Sequence, residues 1–266
     1  MQRSHDRDGS TMYVQWALVA AAAFLAGIGL TWLWHRTVGP RKSADGMPLM
    51  AAACGTVASM YVLTIAFLIV NASSGLGDAR SEAEAEAGAL RDAYIAARSF
   101  APDERRRLQA ELRAYTRTVI DEEWPALARR ETAPAAWDRL DALHARSLNG
   151  RGAPTLARSD LHQALNTVYA QRRLRVAAAG ESVPAPLFAF LLLTAVTVPV
   201  FFLLMGWPSG TRPAVGLGVV MALCASGIFI VLQLNHPYSS GMRVSPESFR
   251  DALTRMEHLD ARAVTR

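Results

Sequence analysis

The stretch Met47-Pro-Leu-Met-Ala-Ala-Ala-Cys-Gly-Thr-Val-Ala-Ser-Met-Tyr-Val-Leu-Thr-Ile-Ala-Phe-Leu-Ile-Val-Asn71 contains no charged residue. As a helix rising about 1.5 Å per residue it reaches roughly 37 Å, more than a hydrocarbon core of about 30 Å. Three further runs, at residues 12–34, 183–207 and 213–234, have the same character. Runs of about 22 to 25 residues span a bilayer with some tilt. The sequence therefore predicts an all-α integral membrane protein with four spans.

The whole composition agrees. Of 266 residues, 51% are hydrophobic and 19% charged, where soluble domains carry about 25% charge. The charge is concentrated between the second and third runs. This excludes an ordinary single-core soluble enzyme and a disordered chain. The net charge is +5 and Lys42 is the only lysine. Acids and bases are interleaved, so nucleic acid is not an expected partner. Cys54 and Cys224 lie inside apolar runs, without a second thiol or histidine at ligand spacing, and read as small apolar-compatible side chains. The first run follows Arg3 and Arg7, as a signal peptide would. It is longer than a usual signal core, and Ala20–Ala23 lie inside it, so an uncleaved span is expected.

Orientation follows from the cations near the helix ends. Arg36, Arg41, Lys42 and Arg212 lie on one side. Arg3, Arg7, Arg80, Arg172, Arg173, Arg175, Arg243 and Arg250 lie on the other. The larger set predicts cytoplasmic termini and a cytoplasmic central segment. Trp16, Trp32, Trp34 and Trp207 fall near expected interfaces, and Pro186 and Pro199 fall in the third span. Gly218, Ala222 and Ser226 in the fourth span, with Ala23 and Gly27 in the first, are spaced for close helix approach.

Residues 72–182 form one block rich in Ala, Leu, Glu and Arg, all helix formers. Leu90, Tyr94, Ala97 and Phe100 predict one buried face. Leu108, Leu112, Tyr115, Val119 and Ile120 predict a second, with Trp124 and Pro125 ending or kinking that helix. A third helix opens near Thr132, Pro134 and Trp137 and carries Leu140 and Leu143. Asn149, Gly150, Gly152 and Pro154 interrupt the chain. A fourth helix then directs Leu161, Leu165, Val168, Tyr169 and Leu174 inward. The first of these helices is expected to continue from the second span. In the tail, Ser245, Pro246 and Glu247 open a helix with Phe249, Leu253 and Met256 on one face.

Glu82, Glu84 and Glu86 alternate, so they spread around a helix as a solvated face. Asp121, Glu122 and Glu123 are expected to be solvated or paired with Arg117. Arg172, Arg173 and Arg175 precede the third span, where they would attract anions or face lipid headgroups, or simply flank the span. His5, His35, His144, His162, His236 and His258 show no ligand spacing, and neither a phosphate loop nor a nucleophile elbow is present. No catalytic, metal or cofactor site is expected.

Several words in the chain are distinctive: Tyr61-Val-Leu-Thr-Ile-Ala-Phe67, Glu86-Ala-Gly-Ala-Leu90, Glu123-Trp-Pro125, Arg172-Arg-Leu-Arg175, Asn235-His-Pro-Tyr238 and Arg243-Val-Ser-Pro-Glu247. With two spans, a long helical block, two more spans and a tail, these resemble the bestrophin-like family of bacterial and plant membrane proteins. Through its distant likeness to bestrophins, the resemblance implies a homo-oligomeric, pentameric anion channel whose second span lines the pore. Family members often carry tryptophan and a second aromatic after that span, where this chain has Asn71-Ala-Ser-Ser-Gly75. The acidic calcium-binding run of animal bestrophins has no counterpart, so calcium gating is not implied.

At 100° per residue, Val57, Tyr61, Thr64, Leu68 and Asn71 share one face of the second span, with Phe67 just off it. In an oligomer this face would either present hydroxyl, apolar and amide rings to a pore, or pack on another helix with its hydroxyls bonded to backbone. The expected organisation is a cytoplasmic N-terminus at 1–11, spans at 12–71, a cytoplasmic helical domain at 72–182, spans at 183–234 and a cytoplasmic tail at 235–266. The chain is read as a multi-pass inner-membrane, chloride-type channel whose partners are its own copies, anions and membrane lipids. The alternative is a non-conducting scaffold or sensor acting through its helical domain.

Overall fold

A computed structural model describes residues 2–37, 47–129, 131, 133–149, 155–180, 183–205, 211–235, 237–238 and 243–264. Side chains before residue 12 and after residue 261, together with those of residues 47, 148 and 149, are not described. Trp207, the Arg41-Lys42 segment, Thr132 and the Gly150 to Pro154 interruption lie outside the described residues. Among the described residues every regular element is a helix: α1 (Gln2–Thr37), α2 (Met47–Ala96), α3 (Pro102–Thr118), α4 (Trp124–Ala128), α5 (Pro134–Asn149), α6 (Thr155–Gly180), α7 (Ala185–Leu204), α8 (Thr211–Leu234) and α9 (Glu247–Val264). A short 3₁₀ turn, Ala97–Ser99, follows α2, and a π turn, Val119–Glu123, joins α3 to α4. The chain packs as two units, Met1–Ser73 with Ser182–Asn235, and Ser74–Glu181 with His236–Arg266. The helix α2 runs unbroken through residues of both.

In the first unit, the apolar parts of α1, α2, α7 and α8 are each long and apolar enough to cross a membrane. Leu18, Leu25, Leu63, Leu193 and Leu223 all point outward with more than 60% of their surface exposed, and an apolar surface of that extent needs lipid or protein to cover it. Glycine sets the closest approach. A Cβ on Gly27 would lie 2.7 Å from the Gly218 Cα, and one on Gly218 would lie 2.8 Å from the Phe24 ring. The expected small-residue spacing in the first and fourth spans thus places backbone against backbone. Gly227 of α8 likewise receives Ile65 and Tyr61 of α2. Leu68, Leu191, Ala195, Cys224 and Val231 complete this core. The Asn235 side-chain carbonyl accepts from the Val183 amide at 2.6 Å and ties the approach of α7 to the end of α8. Pro186 sits in the first turn of α7, where its missing N–H costs nothing, while Pro199 lies inside the helix.

The second unit is a helical domain with its own core. Ala79, Ala83, Ala87, Leu90, Tyr94 and Ala97 form the buried stripe of α2, and Leu108, Leu112, Tyr115 and Val119 face them from α3 and the π turn. Ile120 packs against this core partly buried. Leu140 and Leu143 enter from α5, and Leu161, Leu165 and Val168 from α6. The π turn has a visible cause. Pro125 has no N–H to give the Asp121 carbonyl and its ring crowds it, so the ladder widens just upstream. Leu174 is not inward but 51% exposed. The tail helix α9 docks on this same chain: Phe249, Ala252 and Met256 are fully buried, and Arg113 and Tyr94 reach Asp260.

Candidate functional site

Two features stand out: the membrane part of α2 and a buried charge cluster in the helical domain. On α2, the Tyr61 hydroxyl donates to the Cys224 carbonyl at 2.8 Å and the side chain is 8% exposed. Leu68 is completely buried in the first unit's core. Val57 and Thr64 are half-buried, and the Thr64 hydroxyl donates to the Met60 carbonyl at 2.8 Å. Its single proton is therefore committed to backbone. Phe67 and Asn71 are exposed. The expected stripe is thus not uniform: Tyr61 and Leu68 pack inward, while Phe67, just off it, belongs to an outward face with Met60, Leu63 and Val70. Phe67 is 59% exposed and Leu63 75%. Leu63, Phe67 and Asn71 follow one another at four-residue intervals along this free side.

The second feature was not legible as a site. Arg172 and Arg175 are fully buried, and only Arg173 of the three is exposed. The Arg175 guanidinium binds Glu86 through Nε at 2.8 Å and Glu123 through Nη2 at 2.8 Å. Arg172 Nη2 meets the other oxygen of Glu123 at 2.7 Å, and Arg172 Nη1 donates to the Tyr115 hydroxyl oxygen at 2.9 Å. That hydroxyl donates in turn to Glu86 Oε1 at 2.7 Å. The cluster is a neutral quartet, two cations and two anions, with a tyrosine in the ring. Aromatic faces cover the cations, with Trp137 at 4.5 Å from the Arg172 carbon and Trp124 at 4.9 Å from that of Arg175. Trp124 Nε1 donates to the Val244 carbonyl and anchors the tail.

Burial sets the electrostatics. It pushes the Tyr115 phenol well above its usual value, and the neighbouring Glu86 pushes it further. Burial alone would lower Arg175, but Glu86 and Glu123 outweigh it and hold the guanidinium firmly charged. Arg172 and Arg175 are therefore internal ties, and their charge is spent on carboxylates in the core. Arg117 pairs with Glu257 of α9 at 3.2 Å, not with the acidic run beside it. Among the described residues, no three His, Cys, Asp or Glu side chains gather as metal ligands.

Residues 21–249 match the Bestrophin-like domain. The chain belongs to the bestrophin-like family. It is similar in structure to a crystallised variant of a membrane protein, with a TM-score of 0.61 at 14% identity, covering 93% of this chain and 97% of that one. It also matches a variant of a bacterial bestrophin homologue from Klebsiella pneumoniae, with a TM-score of 0.49 at 14% identity, covering 92% and 97%. No protein of curated function matches the chain in sequence.

In this bestrophin-like chain the quartet did leave a trace in the sequence. The inward positions of α6 run 161, 165, 168, 172 and 175, with the two arginines in core register. Glu86 likewise sits between Ala83 and Leu90 on the buried stripe of α2, and Glu123 follows Val119 across the π turn. His144 and His162, which show no ligand spacing along the chain, meet across α5 and α6.

Proposed function

We propose that the chain is the subunit of an oligomeric anion channel, chloride-type and pentameric, in which α2 lines the conduction path. The carrying observation is the outward face of α2: it is uncharged, uncovered by the other described residues, and bears Leu63, Phe67 and Asn71 at successive turns. Family membership supports the reading. Around an axis these residues form an apolar constriction followed by an amide ring. An apolar ring gates by dewetting, and an amide N–H replaces part of an anion's hydration without fixed charge. Val57 and Thr64 flank this path, while Tyr61 and Leu68, on the side packed against α7 and α8, hold the helix in place.

The helical domain and both termini are assigned to the cytoplasm of an inner membrane. Setting aside the buried Arg172 and Arg175, Arg3, Arg7, Arg80, Arg173, Arg243 and Arg250 still outnumber Arg36, Arg41, Lys42 and Arg212 on the other side. Arg173 is the exposed member of its triplet and takes the role of attracting anions or lipid headgroups.

The test is chloride flux from liposomes carrying the purified protein, with its mass measured in detergent. Phe67→Ala and Leu63→Ala should raise or deregulate flux. Tyr61→Phe, which loses one hydrogen bond worth about 0.5–1.5 kcal/mol, should leave permeation unchanged. A change confined to Tyr61→Phe would refute the assignment of the lining face. A folded oligomer without flux would favour the scaffold.

A further inference from the structure

The helices α5 and α6 of the helical domain bring together two histidines that the sequence keeps apart. The rings of His144 and His162 lie with centroids 4.9 Å apart, tilted by 43°. The Nδ1 atoms of both are buried, and neither meets a hydrogen-bond partner among the described residues. Tyr169 closes one side, its ring edge-on to His144 at 5.2 Å and its hydroxyl donating to Asp141. A neutral imidazole has one donor and one acceptor nitrogen, so an enclosed nitrogen without a partner costs about 1–3 kcal/mol. A cation that accepts a lone pair from each would satisfy two such atoms on neighbouring rings at once. Rings at this separation can bring two nitrogens to about 3.4 Å, the distance between two ligands held about 2.1 Å from one tetrahedral ion.

We propose that His144 and His162 form a binding site for a borderline divalent cation such as Zn²⁺. Imidazole nitrogen suits zinc, copper and nickel, whereas calcium and magnesium take oxygen donors. No third acidic, thiol or imidazole ligand joins the pair among the described residues. Water therefore completes the coordination. Its consequence is mechanical: a bound ion ties α5 to α6. This inference does not depend on conduction.

The experiment uses the full chain in detergent, freed of any histidine tag and treated with chelator. Calorimetric titration with Zn²⁺ should show a site whose affinity falls at least tenfold in His144→Phe and in His162→Phe. Each variant keeps an aromatic ring for packing and removes the nitrogens, and circular dichroism checks its helix content. Zn²⁺ should raise the unfolding temperature of the parent chain and not of the variants. Cu²⁺ bound to the parent should show an electron paramagnetic resonance spectrum split by two nitrogens. Identical titrations for the parent and the His144→Phe/His162→Phe double variant would overturn the proposal. So would the absence of any Zn²⁺-dependent shift in the parent at millimolar metal.

Discussion

Replacing Glu123 by glutamine tests the buried quartet directly. Its two carboxylate oxygens meet Arg172 at 2.7 Å and Arg175 at 2.8 Å, and all three side chains are at most 1% exposed. Glutamine keeps the shape but removes the charge, leaving two buried guanidinium groups against Glu86 alone. Breaking a buried pair from one side costs about 3–5 kcal/mol, because the surviving charge has no water to return to. At about 2–4 °C per kcal/mol for a chain of this size, the unfolding temperature should fall by roughly 6–20 °C. The assay is thermal unfolding of the purified protein in detergent, followed by circular dichroism. The Arg129–Glu131 pair, with each side chain 60% exposed, supplies the control: Glu131→Gln should cost no more than about 1 kcal/mol. The double variant Glu123→Gln/Arg172→Met restores neutrality, since Arg175 and Glu86 remain as a matched pair. It should recover much of the loss. Glu123→Gln melting with Glu131→Gln, or a double variant no better than the single, would refute the reasoning.

Two further outcomes follow from other parts of the fold. Gly218→Ala would set a Cβ 2.8 Å from the Phe24 ring and 2.9 Å from its carbonyl oxygen, an overpacking worth about 1–3 kcal/mol; Gly55→Ala, inside α2 with open space around it, should be neutral to stabilising by up to about 1 kcal/mol, and equal unfolding temperatures for the two would refute the α1–α8 contact. Stability should also decline in alkali. Burial, then Glu86, holds Tyr115 above its ordinary value of 10.0, and burial does the same for Tyr238. A raised folded-state value means that the folded chain keeps protons the unfolded chain would release, so the contribution is complete below pH 10 and lost as pH climbs beyond it. Tyr115→Phe should flatten the decline in unfolding temperature between pH 9 and 12, whereas an unchanged slope would remove the phenol from the account.

Elements with one-sided chemistry were readable from the sequence, and elements whose meaning depends on a neighbour were not. The four apolar runs needed only length, and the stripes through Leu90, Leu112 and Leu161 needed only helical period. The facing of α2 in the membrane needed more. Both of its sides are apolar, so period 3.6 finds a stripe without saying which side is covered. Its hydroxyls leave the choice open for the same reason: a pore and a packed helix suit them equally, and in the fold Tyr61 donates to the Cys224 carbonyl of α8 while Thr64 donates to the Met60 carbonyl of its own helix. Leu174 and Arg175 exchange the roles that polarity assigns them, because Glu86 and Glu123 wait on other helices for a cation. Pairing between distant helices carries no local signature beyond a charge in core register.

That register explains what the quartet adds. The buried stripe of α2 is Ala79, Ala83 and Ala87 before it reaches Leu90. Alanines a turn apart are interchangeable, so packing alone distinguishes poorly between one seating of α2 and another shifted by a turn. A shift of one turn moves Glu86 by about 5.4 Å, which takes its carboxylate out of reach of Arg175 and Tyr115 together. The same holds for α6, whose arginines must reach acids on α2 and at the π turn at once. Charges that contribute little net stability therefore discriminate strongly between seatings, because each wrong one strands an ion away from water. The π turn belongs to this device. Pro125 forces it, and it delivers Glu123 to both arginines while Trp124 covers one of them and binds the tail through Val244. The Glu-Trp-Pro word thus combines the anion, the aromatic lid and the backbone distortion that positions them, which gives three consecutive residues a joint physical role.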